Sequence, residues 1–317
     1  TRPTTIRRTT RAWAFPTTDG VAAVVIAVAA AADGAVVPAV ADGAARAPAR
    51  ARSHGVVDET SGARPSIGRD ELVAYLGDRL DADRTPDFGP NGLQVEGAAT
   101  IDRVVTGVSA CRELFAHAVA TGAQAVLVHH GLFWRGDPLG LTGFRRQRVA
   151  QLLAADVNLL AYHLPLDRHA ELGNNILAAR GLGLEAIEEF ATYEGAPIGF
   201  QGRFPAPVGA TELSRRCEEL FGQAPQLFGP ENRDISTLGI ISGAAQREFH
   251  TAIEAGLDAY LTGEVSEWVV NVARETGTLY VAAGHYATER LGVRALGEHL
   301  AERFGLEVEF FDVPNPV

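Results

Sequence analysis

Two parts of the chain repeat the same order of a strand-like run, a helix-like run, a glycine and a second strand-like run. VVTG at residues 104–107, RELFAHAVATG at 112–122 and AQAVLVHH at 123–130 match IISG at 240–243, REFHTAIEAG at 247–256 and LDAYLTGE at 257–264. The match aligns Gly107 with Gly243 and Gly122 with Gly256. Alternating strands and helices in a duplicated order predict an α/β fold class with two similar halves.

This repeat and a change in composition divide the chain into four segments. Residues 66–189 are predicted to form the first α/β half and residues 236–317 the second. Residues 190–235 between them carry many Gly and Pro residues and are predicted to form a short inserted lobe. Residues 1–65 lack the periodicity of the rest, so we expect a disordered or spuriously translated extension.

The N-terminal segment also carries an apolar run that has to be interpreted. VAAVVIAVAAAA at residues 21–32 is 12 residues long, too short to span a membrane. Because Arg7 and Arg8 precede it, a secretory or twin-arginine signal is the alternative to a disordered extension.

A histidine pair ends one of the strand-like runs, in AVLVHHG at residues 125–131. Adjacent residues on a strand point to opposite faces, so His129 and His130 can serve one site only where the strand ends. Gly131 permits the chain to turn there. The pair therefore predicts a site at the end of this strand.

Two further pairs of polar residues, each four apart, follow strand-like runs. His163 and Asp167 lie in YHLPLD, and His285 and Glu289 lie in GHYATE. His285 and Glu289 share one helix face if that helix begins near Ala287. Each pair alone is as typical of surface decoration, but three such features after apolar runs favour one shared metal site.

Imidazole and carboxylate ligands suit divalent zinc, iron, manganese or nickel. Without His163, these residues offer five candidate ligands, which is more than one tetrahedral ion binds. We therefore expect two ions with a bridging carboxylate, a centre that favours hydrolysis. His163 is open as a ligand, an outer-shell partner or a proton carrier, and the latter two are favoured. Glu264 is a candidate base or pocket residue, or a solvated residue at a strand end. The predicted metal ligands are His129, His130, Asp167, His285 and Glu289.

Charge and cysteine content exclude some classes of function. The net charge of the whole chain is −11, and residues 66–317 carry most of its acidic side chains. Such a surface repels nucleic acid and anionic membranes. The two cysteines, Cys111 and Cys217, lie far apart and indicate a reducing compartment without a disulfide framework.

Long motifs from residue 66 onward resemble one known family, the Nif-three-like dinuclear metal centre proteins, also named GTP cyclohydrolase 1 type 2. The resemblance implies two duplicated α/β halves with mixed sheets, a homohexameric ring and a cytoplasmic setting. The short segment between the halves indicates the compact form of the family. By the resemblance the five predicted ligands match family metal positions, and Glu289 is the bridge. The motifs are PNGLQVEG, VHHGLFW, HLPLD, GNN, TGEVSEW, AAGHYATER and FFDVPNPV.

The family name implies a metal-dependent hydrolase that opens the guanine ring of GTP. Two alternatives stay open, which are a non-catalytic metal-binding scaffold and a metallohydrolase of another nucleotide or phosphoester. No glycine-rich phosphate loop is visible in the sequence. Arg145, Arg146 and Arg148 are candidates to hold a triphosphate, although an exposed basic helix face is the favoured interpretation.

Overall fold

The computed structural model describes residues 64–317. The predicted N-terminal extension, with its apolar run and arginine pair, lies outside the described residues except for its last two positions. None of the helices within residues 64–317 is both long and apolar enough to cross a membrane.

Residues 67–181 contain six strands and five α-helices. The strands are β1 (Ile67–Gly68), β2 (Gly92–Val95), β3 (Thr100–Ile101), β4 (Arg103–Ser109), β5 (Ala125–His130) and β6 (Asn158–Ala161). The helices are α1 (Arg69–Leu80), α2 (Arg112–Ala120), α3 (Gly143–Ala154), α4 (Leu164–Arg168) and α5 (Asn174–Gly181).

Residues 185–310 contain seven strands and five α-helices. The strands are β7 (Glu185–Tyr193), β8 (Ala196–Gly209), β9 (Gln226–Phe228), β10 (Asp234–Ile240), β11 (Ala259–Thr262), β12 (Leu279–Ala282) and β13 (Glu307–Phe310). The helices are α6 (Ala210–Phe221), α7 (Phe249–Glu254), α8 (Val269–Thr276), α9 (His285–Thr288) and α10 (Arg290–Phe304).

Two mixed sheets confirm the predicted α/β class with duplicated halves. The first has the order β13-β4-β5-β6-β2, and the second has the order β7-β8-β10-β11-β12-β9. β4, β5 and β6 are parallel with β2 antiparallel beside β6, and β10, β11 and β12 are parallel with β9 antiparallel beside β12. The same four-strand arrangement therefore occurs twice, as the sequence repeat predicts.

The two halves are less separate along the chain than the sequence suggests. β8 and β9, which lie within the predicted lobe at residues 190–235, hydrogen-bond into the second sheet. β13 returns to the first sheet, where it pairs with β4. Strand pairing across long sequence separations is invisible to local periodicity, because it depends on which strand edge the chain reaches.

Helices cover both faces of the first sheet. Leu127 of β5 lies in one buried cluster with Leu76 of α1 and Leu296 of α10. Its neighbour Val128 lies in another cluster, with Phe115 of α2. Successive residues of a strand point to opposite faces, which is why the strand is apolar without interruption. The strand is thereby fixed firmly up to its histidine end.

The candidate site lies where parallel strands of both sheets end. β5 and β6 end at His130 and Ala161, and β11 and β12 end at Thr262 and Ala282. In α/β folds, side chains beyond the carboxyl ends of parallel strands converge on one region. The duplicated halves therefore both contribute residues to the same site.

Candidate metal centre

His129 is fully buried and has one ring nitrogen without a hydrogen-bond partner. Its Nδ1 donates to the backbone oxygen of Tyr162 at 3.1 Å. Its Nε2 is among the buried atoms of the described chain that lack any partner. A buried polar atom normally has a hydrogen-bond partner. An unprotonated imidazole nitrogen can instead donate its lone pair to a bound metal ion.

His130 and His285 are held in the same manner, each through Nδ1. His130 Nδ1 pairs with Ser109 Oγ at 3.2 Å, and His285 Nδ1 pairs with Glu264 Oε1 at 2.7 Å. Both Nε2 atoms lie 3.2 Å from the carboxylate of Glu289. When Nδ1 donates outward, the proton is fixed there and Nε2 keeps its lone pair for a metal.

Glu289 is the carboxylate that all three of these histidines share. Its Oε1 faces His129 and His285, and its Oε2 faces His130. Oε2 is buried without a hydrogen-bond partner. Donor atoms of His129, Asp167 and Glu289 lie within 4.8 Å of one another, as do those of His130, His285 and Glu289. Glu289 thus belongs to both groups.

Two hydrogen bonds to one carboxylate oxygen, Oδ1, orient the side chain of Asp167. Asn174 Nδ2 and Ser242 Oγ donate to Asp167 Oδ1 at 2.8 and 2.9 Å. Oδ2 is left to face His129 Nε2. Asn174 in turn accepts from the backbone nitrogen of Gly292 at 2.6 Å, which ties the carboxylate to the start of α10. One oxygen of Asp167 is therefore presented to the centre.

The spacing of the facing donor atoms suits a bound ion. His129 Nε2 lies 3.4 Å from Asp167 Oδ2 and 3.5 Å from Glu289 Oε1, at or beyond the limit of a good hydrogen bond. Two donors that bind one ion at about 2.1 Å in a tetrahedral arrangement lie about 3.4 Å apart. The residues present therefore fit a divalent ion in number, type and separation.

The helix at the two ligands of the second half begins earlier than predicted. The helix that begins the GHYATE motif starts at His285, two residues before the predicted Ala287, and Glu289 is the residue between α9 and α10. Gly284 has a φ of 92° and turns the chain directly after β12. Its carbonyl accepts from Thr288 Oγ1 at 2.9 Å, which closes the turn that holds both ligands.

His163 lies beside the other histidines and is oriented by a carboxylate that the sequence analysis missed. His163 Nδ1 donates to Asp87 Oδ1 at 2.7 Å. Asp87 Oδ2 accepts from Asn91 Nδ2 and from the backbone nitrogen of Leu164, at 2.9 and 3.0 Å. His129, His130 and His163 form a third group whose donor atoms lie within 4.8 Å. The structure places His163 at the centre, where both ligation and proton transfer are open to it.

Glu264 contacts the centre only through His285. Its Oε1 accepts from His285, and its Oε2 accepts from Gln246 Nε2 at 3.0 Å. No candidate metal group of the described residues includes Glu264. Its observed contacts are those of a residue that positions His285, and its predicted role as a base stays a prediction.

Electrostatic interactions keep the carboxylates of Asp167 and Glu289 ionised and shift the pKa values of His130 and His285 in opposite directions. Burial lowers the pKa of His130 to about 4, an effect that the neighbouring histidines reinforce against Glu289. Burial acts in the same direction on His285, but Glu289 and Glu264 outweigh it and raise the pKa to about 9. Burial favours a neutral Glu289, yet His130 and His129 hold its pKa well below the usual range. An ionised carboxylate inside the fold is ready for a cation.

Other residues missed by the sequence analysis gave weak or no local signals. Asn174 lies in the GNN motif and Asn91 lies in PNGLQVEG, so motif membership pointed toward them without a role. Ser109, Ser242 and Asp87 follow no ligand-like spacing. Their places depend on which loops meet in the fold.

The predicted arginine group does not line the cleft beside the centre. Arg145 pairs with Asp137 and donates to the carbonyl of Pro138. Arg148 packs over the ring of Phe144 and lines a neighbouring cavity. The basic helix face favoured by the sequence analysis describes their positions better than a phosphate site in the cleft.

Gly243 offers a test of how tightly Glu289 is held. Gly243 has a φ of 69°, and a Cβ there would lie 2.3 Å from Glu289 Oε1. Gly256 has a φ of 70°, and its Cβ would meet nothing within 4 Å. Both alanine variants incur the left-handed backbone cost of roughly 1–2 kcal/mol. Only Gly243→Ala displaces the Glu289 carboxylate. We therefore expect the metal affinity of the Gly243→Ala protein to fall about tenfold or more.

Competitive metal titration of both variants checks this expectation. Gly256→Ala is the matched control and should keep the affinity of the parent protein. Equal affinities for Gly243→Ala and Gly256→Ala would contradict the observed packing of Gly243 against Glu289.

Comparisons with known proteins agree with this fold. A family model described as Duf34/NIF3 (NGG1p interacting factor 3) matches residues 67–316. A GTP cyclohydrolase 1 type 2 homolog of Pseudomonas aeruginosa is 44% identical over 251 residues, which cover 79% of this chain and 99% of the relative. The homolog of the same name in Escherichia coli K12 is 42% identical over 247 residues, which cover 78% and 98%.

Solved structures share the architecture over the same length. One described as protein ybgI, of unknown function, matches with a TM-score of 0.75 and 41% identity and covers 79% of this chain and all 100% of its own. The protein TTHA1606 from Thermus thermophilus matches with a TM-score of 0.69 and 36% identity, with coverage of 79% and 100%. The similarity therefore spans both halves and the whole candidate centre.

Proposed function

Because this chain belongs to the Duf34/NIF3 family, we propose that it binds two divalent metal ions and is a metal-dependent hydrolase. His129, Asp167 and Glu289 hold one ion, and His130, His285 and Glu289 hold the other. The observation that carries the proposal is the Glu289 carboxylate, which faces His129 of the first group through Oε1 and both histidines of the second, His285 through Oε1 and His130 through Oε2. Zinc, iron, manganese and nickel all suit this ligand set.

Bound divalent ions supply an acidified water molecule and neutralise negative charge that develops on a substrate. The protein supplies orientation and proton transfer. Asp87 holds the His163 imidazole by Nδ1 and leaves Nε2 to accept or return a proton. Glu264 fixes His285, and Asn174 with Ser242 fixes Asp167, so the ligands need no reorganisation during reaction.

The proposed substrate is GTP, with hydrolytic opening of the imidazole part of the guanine ring. The support for this choice is the printed name of the Pseudomonas aeruginosa and Escherichia coli relatives, GTP cyclohydrolase 1 type 2 homolog. In this reaction one water adds at the ring carbon between the two nitrogens and opens the ring to a formamide, and a second water hydrolyses the formamide so that the carbon leaves as formate. A proton carrier such as His163 is needed when the carbon–nitrogen bonds break.

The family resemblance adds an assembly and a location to the proposal. We propose a homohexameric ring in the cytoplasm. The exposed apolar side chains of one segment, Leu139, Leu141 and Phe144, offer subunit contacts for the ring. Both cysteines are free thiols, which suits a reducing compartment. Light scattering that gives six times the monomer mass supports the ring, and a monomer contradicts it.

Formate release from GTP tests the activity. Metal-loaded protein should release formate, and His163→Ala should lower kcat about 100-fold or more while the metal content stays at the parent level. His169→Ala is a suitable control, because His169 contacts the backbone at Arg79 outside the centre.

Other outcomes favour other functions. Loss of metal in His163→Ala would make His163 a ligand. No formate from fully metallated protein, with turnover of another nucleotide or phosphoester, would replace GTP as the substrate. No turnover of any such compound would favour the non-catalytic scaffold.

A further inference from the structure

A cleft of about 840 Å³ opens onto the candidate metal centre between the two halves. Its floor includes His130, His163 and Glu289. Aromatic side chains and the turn at residues 244–248 that follows β10 also line it. A ligand in this cleft is therefore within reach of the centre and of residues from both halves.

The aromatic lining is suited to a flat apolar group. Phe88 and Tyr193 pack with ring centroids 4.9 Å apart, and Trp134 stands edge-on to His163 at 5.0 Å. Phe88 is 43% exposed, an unusual state for a large apolar side chain in a concave surface. A planar ring that packs against Phe88 removes this apolar surface from water and gains an aromatic contact.

The turn at residues 244–248 carries one cationic side chain, Arg247. Its neighbour Gln246 is engaged with Glu264, and Glu248 accepts from Thr251 Oγ1 at 3.0 Å. The guanidinium of Arg247 forms no ion pair or hydrogen bond with any described residue. It is the only arginine that lines the cleft within residues 64–317. An arginine fork with no internal partner is suited to a phosphate or carboxylate of a ligand.

We propose that this cleft takes a planar aromatic ring with an anionic substituent. The ring packs against Phe88 and Tyr193 next to the metal centre, and the anionic group binds Arg247 of the turn after β10. The proposal rests on the proposed function, since it gives the substrate class and the orientation at that same site. It makes Phe88, Tyr193 and Arg247 specificity-determining residues.

Binding of GTP, guanosine and inorganic triphosphate to metal-loaded protein tests this orientation. Isothermal titration at low temperature, with the ligand quantified afterwards to exclude turnover, gives the three dissociation constants. GTP should bind about tenfold or more tighter than guanosine, and Arg247→Ala should abolish most of this difference while guanosine affinity stays within about twofold. Tyr193→Ala should weaken guanosine and GTP alike, by about fivefold, and leave triphosphate unchanged.

Arg148→Ala is the matched control, because Arg148 lines the neighbouring cavity that also reaches His130 and Trp134. It should keep the preference for GTP. The proposal is overturned if Arg247→Ala keeps that preference, as it would if the phosphates bound only the metal ions, or if Arg148→Ala loses it. It is also overturned if neither GTP nor guanosine binds.

Metal analysis of the same samples separates this proposal from the function on which it rests. A full metal complement with no ligand preference refutes the orientation and leaves the metal centre standing. Absence of metal refutes the centre, whereas the comparison of Arg247→Ala with Arg148→Ala still decides how the cleft recognises an anion.

Discussion

Glu289→Gln is expected to remove stable binding of both metal ions. The amide keeps the size of the side chain but loses the negative charge. Of its two terminal atoms, only the oxygen can still bind a metal ion. Because Glu289 faces His129 of one group and both histidines of the other, both ions lose a ligand at once. We expect affinity to fall about 100-fold or more, beyond the roughly 10- to 100-fold effect of outer-shell changes. Elemental analysis after dialysis against a weak chelator measures the loss.

Glu264→Gln is the matched control for this change. It makes the same substitution at a carboxylate that contacts only His285 among the candidate ligands. It should weaken one ion and spare the other. Equal metal content in Glu289→Gln and the parent protein, or equal losses in the two variants, would contradict the bridging role.

Removal of metal is expected to lower the melting temperature by about 8–16 °C for each ion lost. An ion present at about 1,000 times its dissociation constant stabilises the folded state by about 4 kcal/mol. For a domain of this size, about 1 kcal/mol shifts the melting temperature by roughly 2–4 °C. Scanning calorimetry of metal-loaded and chelator-treated protein measures the shift.

The pH dependence of this shift follows from His285. Its pKa in the folded, metal-free chain is raised to about 9 from an ordinary value of 6.5. A raised pKa stabilises the fold fully below the ordinary value, and this contribution is lost as the pH rises through the folded value. Metal-free protein should therefore lose stability between about pH 6.5 and 9.

Metal-loaded protein lacks this dependence because His285 is then unprotonated at the ion. The difference in melting temperature between the two forms should grow from pH 7 to pH 9. A difference that is absent, or that shrinks as the pH rises, would argue against ligation by His285.

The strand-end position of the candidate ligands was predictable from sequence because local patterns encode it. Apolar runs of strand length place His129 and His130 at the end of β5, and the repeat relates the turn after β6 to the turn after β12. Parallel strands then bring these turns together. The fold class followed from the same repeat, since alternation of strands and helices is a local signal.

Other features could not be predicted because they depend on contacts between distant segments. Asp87 contacts His163 across 76 positions of the chain, from a loop with no periodic pattern. The return of β13 to the first sheet crosses more than 200 residues, from Glu307 to Arg103. The close approach of Gly243 to Glu289 likewise depends on how the turn after β10 packs against the turn after β12. Local propensity carries no information about such pairings.

The metal content of the purified protein, combined with the positions of the ions in metal-soaked crystals, tests the central claim most directly. We predict two divalent ions per chain, about 3.5–4 Å apart, with one oxygen of Glu289 on each. Anomalous scattering locates the ions, and elemental analysis counts them. A single ion per chain, or two ions with Glu289 bound to only one of them, would contradict the bridged centre.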